Sequence, residues 1–156
     1  MNLKQEYEQD FNLWIIRHIV LLKEGRFQEM DVENLIEELE GLGKGNLYEL
    51  DNRFTVLLVY LLKWEYQFNQ LKNRWEGFTG GSWKGSIIEQ RIKIVKLIKE
   101  NPSLEPFLPD IIVEAYQDAL EIISVEISLS VIPSKCPYSF EQLLDKRFYP
   151  ANQRVD

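Results

Sequence analysis

The sequence is poor in side chains that form disulfides or bind transition metals, because it holds one cysteine, Cys136, and one histidine, His18. A single cysteine cannot form an intramolecular disulfide, and a zinc site of the usual cysteine and histidine type would lack ligands. A ferritin-like di-metal centre needs two Glu-x-x-His elements, which one histidine cannot supply. We therefore expect a protein with no metal site and no cofactor, located in a reducing cytoplasm.

Glycine, proline and long apolar runs are also scarce. Eight glycines and six prolines accompany 45% hydrophobic residues in 156 positions, which excludes collagen-like, low-complexity and wholly disordered chains. The longest apolar run, residues 54–62, is too short to cross a bilayer, and no secretory leader pattern opens the sequence. The length predicts one domain over residues 1–150, large enough for a real core, and a flexible tail over residues 151–156.

Basic residues are the minority charge, with 18 Lys and Arg against 25 Asp and Glu, a net charge of −7. An overall negative field has the wrong sign for binding duplex DNA. Residues 28–51 hold eight acids and one base, residues 101–127 hold six acids and no base, and residues 84–99 hold five bases and one acid. This separation favours packing of the basic segment between the acidic ones, and it makes a nucleic-acid partner less favoured than a protein.

Apolar residues recur at helical three- and four-residue steps, and no alternating strand pattern of useful length occurs. The first helix is predicted over residues 5–24, and the second begins after Asp31, a good N-cap residue. Three glycines within residues 41–45 predict a bend or a break. The apolar stripe then resumes over residues 47–71, and its width around residues 54–64 predicts the most buried helix.

The second half of the chain predicts three more helices. Four glycines within residues 77–85 indicate a mobile loop, and Ser86-Ile87-Ile88-Glu89 reads as a capping box that begins a helix over residues 86–100. Pro106 and Pro109 delay regular hydrogen bonding in the helix that follows. A second capping box, Ser139-Phe140-Glu141-Gln142, begins a short helix. The fold class is all-α, a compact bundle of four to five principal helices plus a short C-terminal helix.

A series of ordered motifs spans residues 5–150. The motifs are Tyr7-Glu8-Gln9-Asp10-Phe11 with Trp14, Asp31 to Glu40, Leu61 to Gln67, Ser82-Trp83, Ile88 to Arg91, Asn101 to Leu104, Glu114 to Tyr116, and Cys136 to Tyr138 with Gln142 to Asp145. Together they resemble family 29 of the domains of unknown function, a bacterial helical family. The resemblance implies a helical bundle in the bacterial cytoplasm, and it implies neither an established activity nor a catalytic residue. The glycines before Trp83 and within residues 41–45 depart from the family pattern.

The residues form no complete catalytic constellation. His18 lies along the buried side of the first helix, where a histidine bonded to a neighbour is the favoured interpretation over a general base. Cys136 has no second cysteine or nearby histidine, which favours structural packing in the Cys-Pro-Tyr turn. An alternative remains open, an enzyme or nucleic-acid-acting protein with an inter-helix cleft. That cleft would use the following residues: Glu33, Glu37, Gln90 and Arg91.

Aromatic residues crowd around the predicted loop, and large amphipathic rings are enriched at protein interfaces. The favoured hypothesis is therefore a non-catalytic protein-interaction or adaptor module, with an unidentified protein partner or self-association. Packing of the loop onto its own bundle is the competing interpretation. The candidate partner-binding residues are Trp75, Phe78, Trp83, Lys84 and Arg91.

Overall fold

The computed structural model describes residues 1–151, and these residues form helices without any strand, which confirms the predicted all-α class. The seven α-helices are α1 (Leu3–Gln9), α2 (Phe11–Lys23), α3 (Val32–Tyr66), α4 (Phe68–Arg74), α5 (Gly81–Glu100), α6 (Leu108–Ile123) and α7 (Phe140–Leu144). Short 3₁₀ helices lie at Phe27–Glu29, Pro102–Phe107 and Leu129–Val131. The predicted flexible tail falls, apart from residue 151, outside the described residues. The chain forms two structural units, unit 1 (Met1–Gly45) and unit 2 (Asn46–Asp156).

The predicted first helix over residues 5–24 is wrong, because the chain breaks at Asp10. The Asp10 backbone has φ −148° and ψ 76°, and its carboxylate accepts a hydrogen bond from the Leu13 N–H at 3.1 Å. Asp10 therefore ends α1 and caps the start of α2. A short acidic side chain competes for backbone donors in this way, whereas the apolar spacing continues through the break and does not reveal it.

Of the bend or break predicted within residues 41–45, the break does not occur, because α3 runs without interruption from Val32 to Tyr66 over 35 residues. Glycine lowers helix propensity by about 1 kcal/mol relative to alanine, but unlike proline it keeps its N–H and removes no hydrogen bond. Residues Leu50 to Leu62 of the same helix include seven buried apolar side chains, with Val59 among them. Packing of this later half outweighs the weak local preference of the glycines.

The core of unit 2 surrounds the second half of α3. Side chains with no exposed area there are Leu50, Phe54, Leu57, Leu58, Leu61 and Leu62. They pack in one cluster with apolar residues of α5, α6 and α7, among them Ile94, Tyr116 and Leu143. The prediction that residues 54–64 form the most buried helical segment is consistent with this cluster. Within residues 1–151 no helix is long and apolar enough to span a membrane.

The predicted boundaries around the loop require correction. The stripe over residues 47–71 is interrupted at Gln67, whose φ of −120° and ψ of −18° separate α3 from α4. Helix α5 begins at Gly81, so the predicted loop over residues 77–85 is shorter and Ser86 lies inside the helix instead of capping it. Glu89, the other half of that predicted capping box, binds Lys93 with an O to N distance of 2.6 Å.

Two predictions in the last third of the chain are confirmed. The prolines at 106 and 109 precede or open the regular part of α6, which follows a 3₁₀ helix over Pro102–Phe107. The capping box at the start of α7 is present, because the Ser139 side chain accepts from the Gln142 N–H and the Gln142 side chain accepts from the Ser139 N–H. Local polar motifs therefore fixed the start of the short C-terminal helix.

Candidate functional site

Three aromatic rings after α4 lie in contact with one another in series in unit 2, one pair tilted and the other edge-to-face. The ring centroids of Trp75 and Phe78 lie 5.8 Å apart, and those of Phe78 and Trp83 lie 5.0 Å apart. Trp75 is 62% exposed, whereas Phe78 and Trp83 are half-buried. We call Trp75, Phe78, Trp83 and the exposed Lys84 the aromatic surface. Its three rings are among the residues singled out from the sequence, and the structure brings them together.

The aromatic surface rests on rings that belong to the core side of unit 2. Phe78 lies 5.4 Å from Phe68, and Phe68 lies 4.7 Å from Trp64, measured between ring centroids. Aromatic pairs at these separations attract one another beyond the area they bury. The loop therefore packs onto its own unit while Trp75 stays exposed. Internal packing and a partner-binding surface, the two interpretations of these aromatic residues, do not exclude each other.

Gly80 fixes the turn that leads from the loop into α5. Its φ of +72° lies in the left-handed region that favours glycine. A Cβ atom at this position would lie 2.7 Å from Phe68 Cε2 and 2.9 Å from Trp64 Cζ3. The backbone thus passes directly against two rings, and this close approach explains why the loop is short and why α5 begins before the predicted capping box.

Arg91 is buried, with 1% of its surface exposed, and its guanidinium binds the end of α7. Its Nε donates to the Leu143 carbonyl oxygen at 2.7 Å, and its Nη2 donates to the Gln142 carbonyl oxygen at 3.1 Å. Burial lowers the pKa of Arg91 from its ordinary value. These carbonyls are among those that a helix leaves unpaired at its C-terminus, so Arg91 acts as a clamp on α7.

Tyr149 connects this clamp to the aromatic surface. The Arg91 guanidinium carbon lies 5.5 Å from the centroid of the Tyr149 ring, and Lys84 Nζ lies 5.3 Å from the same centroid. Trp64 lies 5.0 Å from it on ring centroids. Sequence reasoning missed Tyr149, because nothing in the spacing of residues brings position 149 beside the loop. Cation–π attraction of this kind contributes about 0.5–1 kcal/mol at exposed sites.

Several basic residues lie in the segment that carries the aromatic surface or contact its rings. Lys72 and Arg74 lie exposed in the last turn of α4. Lys63 Nζ lies 5.8 Å from the Trp83 ring centroid and 3.1 Å from Glu126 Oε2, so its charge is paired. Residues 68–84 contain three bases and one acid, in a chain whose net charge is −7. The exposed part of this region is therefore a small positive and aromatic area on an acidic protein.

The interior of unit 1 is largely polar. Its buried side chains are Glu6, Trp14, His18, Leu21 and Asp31. The Asp31 N–H donates to His18 Nε2 at 2.9 Å, which leaves His18 Nδ1 as the donor to the Trp14 carbonyl oxygen at 2.9 Å. The Trp14 indole N–H donates to Asp31 Oδ2 at 3.2 Å. The prediction that His18 bonds to a neighbour is confirmed.

Asp31 and Glu6 are the buried acids of this interior. Burial raises the pKa of Asp31. Hydrogen bonds from Asn34 and Trp14 to its carboxylate lower the pKa, and together with the other favourable contacts they outweigh the effect of burial, so the net pKa lies below its usual value. Glu6 is fully buried, and its Oε1 lies 3.0 Å from Arg17 Nη1. Sequence reasoning recognised Asp31 only as a helix cap and did not recognise Glu6, whose burial depends on the break at Asp10.

A cavity of about 700 Å³ opens beside this interior within unit 1. Its apolar lining comes from Ile16, Val20, Leu21, Leu3 and Met30, and its polar lining includes Arg17, Arg26, Glu29 and Asp31. Arg26 is held by Glu24 and Glu29 through ion pairs of 2.7 and 2.5 Å. The cavity therefore combines an apolar wall from α2 with charged groups that are already paired inside the unit.

A family model, described as domain of unknown function DUF29, matches residues 6–149. The chain belongs to this family. The match covers both the aromatic surface and the polar interior of unit 1, and it agrees with the resemblance drawn from the ordered motifs. No curated protein and no solved structure matches the chain.

The other predicted site residues of this DUF29 member divide between the two units. In unit 1, Glu33 is exposed and its Oε2 lies 3.2 Å from Lys4 Nζ, and Glu37 is exposed. In unit 2, the half-buried Gln90 accepts a hydrogen bond from Arg53 Nη1 at 3.3 Å, and Arg91 holds α7. Over residues 1–151, no group of three or more His, Cys, Asp or Glu side chains is arranged to hold a metal ion.

Cys136 lies half-buried in the connection before α7. Its Sγ donates to the Tyr138 carbonyl oxygen at 3.6 Å, and burial raises the pKa of the thiol. Because the thiolate is the reactive form, a raised pKa makes Cys136 a poor nucleophile at neutral pH. This geometry agrees with the structural role that the sequence favoured for the Cys-Pro-Tyr turn.

Proposed function

We propose that this DUF29 protein is a non-catalytic protein-interaction module of the bacterial cytoplasm, and that the aromatic surface binds its partner. The observation that carries the proposal is the position of Trp75, which is 62% exposed while its ring lies 5.8 Å from Phe78. Exposed tryptophan is costly in water and is enriched among the residues that dominate binding energy at interfaces.

The rings below Trp75 are ordered before any partner binds. Phe78 contacts Phe68 and Trp83, and Gly80 holds the turn against Phe68. A preorganised surface loses less conformational entropy on binding than a mobile loop does, so more of the contact energy appears as affinity. The shortness of the loop therefore supports an interaction role.

The charge of the surrounding surface indicates the kind of partner. Lys72, Arg74 and Lys84 are exposed in the segment that carries the rings, with Glu76 as its one acid. Complementary charge favours an acidic protein surface that offers an apolar pocket for Trp75. A single-stranded nucleic acid could also use bases beside aromatic rings, but the overall negative charge of the chain disfavours it. Arg91 supports the surface from within unit 2 and makes no direct contact with the partner.

Affinity capture from native cell lysate, followed by titration calorimetry with the purified partner, tests this function. Replacing Trp75 by alanine should weaken binding about thirtyfold, the loss typical of a central aromatic residue at an interface. The melting temperature should change little, because most of the side chain is exposed. The matched control is Phe107→Ala, which removes another exposed aromatic ring from unit 2 and should leave binding unchanged.

The alternatives give different results in the same experiment. Bound RNA that is released at higher salt would replace the protein partner by a nucleic acid. Equal losses from Trp75→Ala and Phe107→Ala would refute the aromatic surface as the binding site. Substrate turnover that disappears with Gln90→Ala would move the assignment to the enzyme alternative.

A further inference from the structure

Unit 1 exposes an unusual share of the apolar surface of the chain. It contains Met1–Gly45, yet it holds 12 of the 25 large apolar side chains that are exposed in the described residues. Only Trp14 and Leu21 are buried apolar residues within it. Two buried apolar side chains are a small apolar interior for a unit of this size, and a large exposed apolar area is typical of an interaction site.

Helix α2 is apolar around most of its circumference. Trp14, His18 and Leu21 face inward, and five other apolar side chains are each 37–49% exposed, of which Ile16 and Val20 also line the open cavity: Ile15, Ile16, Ile19, Val20 and Leu22. A helix that is apolar on all sides normally lies in the interior of a protein. Of the two charged residues of α2, Arg17 is paired with the buried Glu6 inside the unit, so Lys23 supplies the free charge, and α2 contains no acid. We call its outward side the basic face.

The first turns of α3 carry a second exposed apolar stripe with the opposite charge. Val32, Ile36 and Leu39 follow steps of four and three residues, and each is 50–59% exposed. At 100° per residue, three glutamates lie together along one side of this stripe: Glu33, Glu37 and Glu40. We call this stripe with its glutamates the acidic face.

We propose that unit 1 binds a second copy of this chain, with the basic face of each copy packed on the acidic face of the other. The closed two-fold arrangement repeats the same contact twice, since each copy offers both faces. Pairing of two acidic faces would bring six glutamates together, whereas pairing of unlike faces joins bases to acids. Charge complementarity thus favours a second copy of this chain as the partner of unit 1.

Unpaired charges and the extent of the faces support the same arrangement. Across residues 1–151, Lys23, Glu37 and Glu40 form no ion pair within the chain. In the dimer, Lys23 of one copy lies beside the acidic face of the other. A standard interface buries about 800 Å² on each partner, and eight half-exposed apolar side chains on the two faces provide the apolar part of such an area.

The mass of the full chain, measured by sedimentation equilibrium from low to high concentration, tests the proposal. We expect a monomer that converts to a dimer. Ile19→Glu and Leu39→Glu each place a charge in the apolar contact and should weaken dimerisation at least a hundredfold. Val113→Glu is the matched control, because Val113 is an exposed aliphatic residue on α6 of unit 2. A monomer at every concentration, or equal effects from all three variants, would overturn the proposal.

Charge reversal provides a second test that leaves the apolar side chains intact. Lys23→Glu and Glu40→Lys each create two repulsive contacts in a homodimer and should weaken it about tenfold. An equimolar mixture of the two variants should recover wild-type affinity, because both contacts of the mixed dimer are again between unlike charges. Failure of the mixture to recover would overturn the pairing of unlike faces. Trp75→Ala should leave the dimer unchanged, so loss of the proposed function and loss of the dimer are distinguishable.

Discussion

At the scale of single residues, unit 1 depends on buried hydrogen bonds where most domains depend on apolar packing. Asp31 accepts from Trp14 and Asn34 through its carboxylate, while its N–H donates to His18. Each buried donor or acceptor left without its partner costs about 1–3 kcal/mol. One change in this network therefore removes several contacts that hold α2 against the start of α3.

Replacing Asp31 by asparagine should remove part of the acid sensitivity of the chain. The folded pKa of Asp31 lies below its usual value, so the unfolded chain takes up this proton first as the pH falls. The stabilisation is complete above about pH 4, the ordinary pKa of aspartate, and is lost as the pH falls through the folded pKa. Thermal unfolding across this range should show the difference between wild type and Asp31→Asn shrinking below pH 4.

The control for this prediction is Asp118→Asn, which changes an exposed aspartate of α6. It should shift the melting temperature little at any pH. A difference between wild type and Asp31→Asn that stays constant from pH 7 to the acid limit would contradict the assignment of the pH dependence to Asp31.

Residue types predicted partners only where those partners are close in sequence. Trp14 and His18 lie four residues apart on α2, and the histidine was correctly predicted to bond to a neighbour. Arg91 binds carbonyls more than fifty positions away, so its burial could not be read from a basic segment that looked exposed. Chain topology, which spacing does not encode, decides such long-range pairs.

At the scale of helices, replacing the glycines of α3 by alanine should stabilise the chain. A Cβ at Gly41, Gly43 or Gly45 would meet nothing within 4 Å. Each alanine substitution should therefore raise the free energy of unfolding by about 0.5–1 kcal/mol, because it lowers the entropy of the unfolded chain and favours the helix. Chemical denaturation of each variant measures the gain.

Gly25 is the matched control for these substitutions. A Cβ there would also meet nothing within 4 Å, but its φ is +70°. Gly25→Ala should therefore destabilise the chain, since the left-handed conformation is costly for alanine. If alanine at residues 41, 43 and 45 also destabilises the chain, then the glycines serve a bend that the continuous helix requires.

Helix boundaries were predictable where a polar motif decides them locally. The Ser139 capping box begins α7 as predicted, whereas the similar motif at Ser86 lies inside α5. The difference comes from Gly80, which turns the chain in a left-handed conformation against Phe68 and Trp64 and so starts α5 early. Those ring contacts join residues of separate helices, and no local motif in the loop predicts them.

At the scale of the whole molecule, the apolar residues are distributed unevenly. The main apolar cluster lies entirely within unit 2, while unit 1 buries two apolar side chains and exposes twelve large ones. The single domain over residues 1–150 stays a prediction. Composition reports the total apolar content of the chain and not where the apolar residues are placed, so it could not predict this uneven distribution. The aromatic residues around the predicted loop, by contrast, are close together in sequence. The rings of three of the five candidate partner-binding residues do lie together.

Hydrogen exchange should reveal this uneven distribution as a difference in local stability. Amides of α2 should exchange through partial opening, well before those of residues 50–62 in α3, which are protected by the core until the unit unfolds. Raising the protein concentration should slow exchange in α2 and leave residues 50–62 unchanged, because association stabilises only the part that it covers.

Equal protection of α2 and residues 50–62 at low concentration would support one cooperative domain and would contradict a weakly held unit 1. Ile19→Glu separates the remaining cases. In that variant, exchange in α2 should lose its dependence on concentration, whereas Val113→Glu, which changes an exposed residue of unit 2, should keep it. A concentration effect that persists in Ile19→Glu would mean that α2 is covered through another surface, since a charge in the centre of the basic face cannot be buried in the proposed contact without a large loss of affinity.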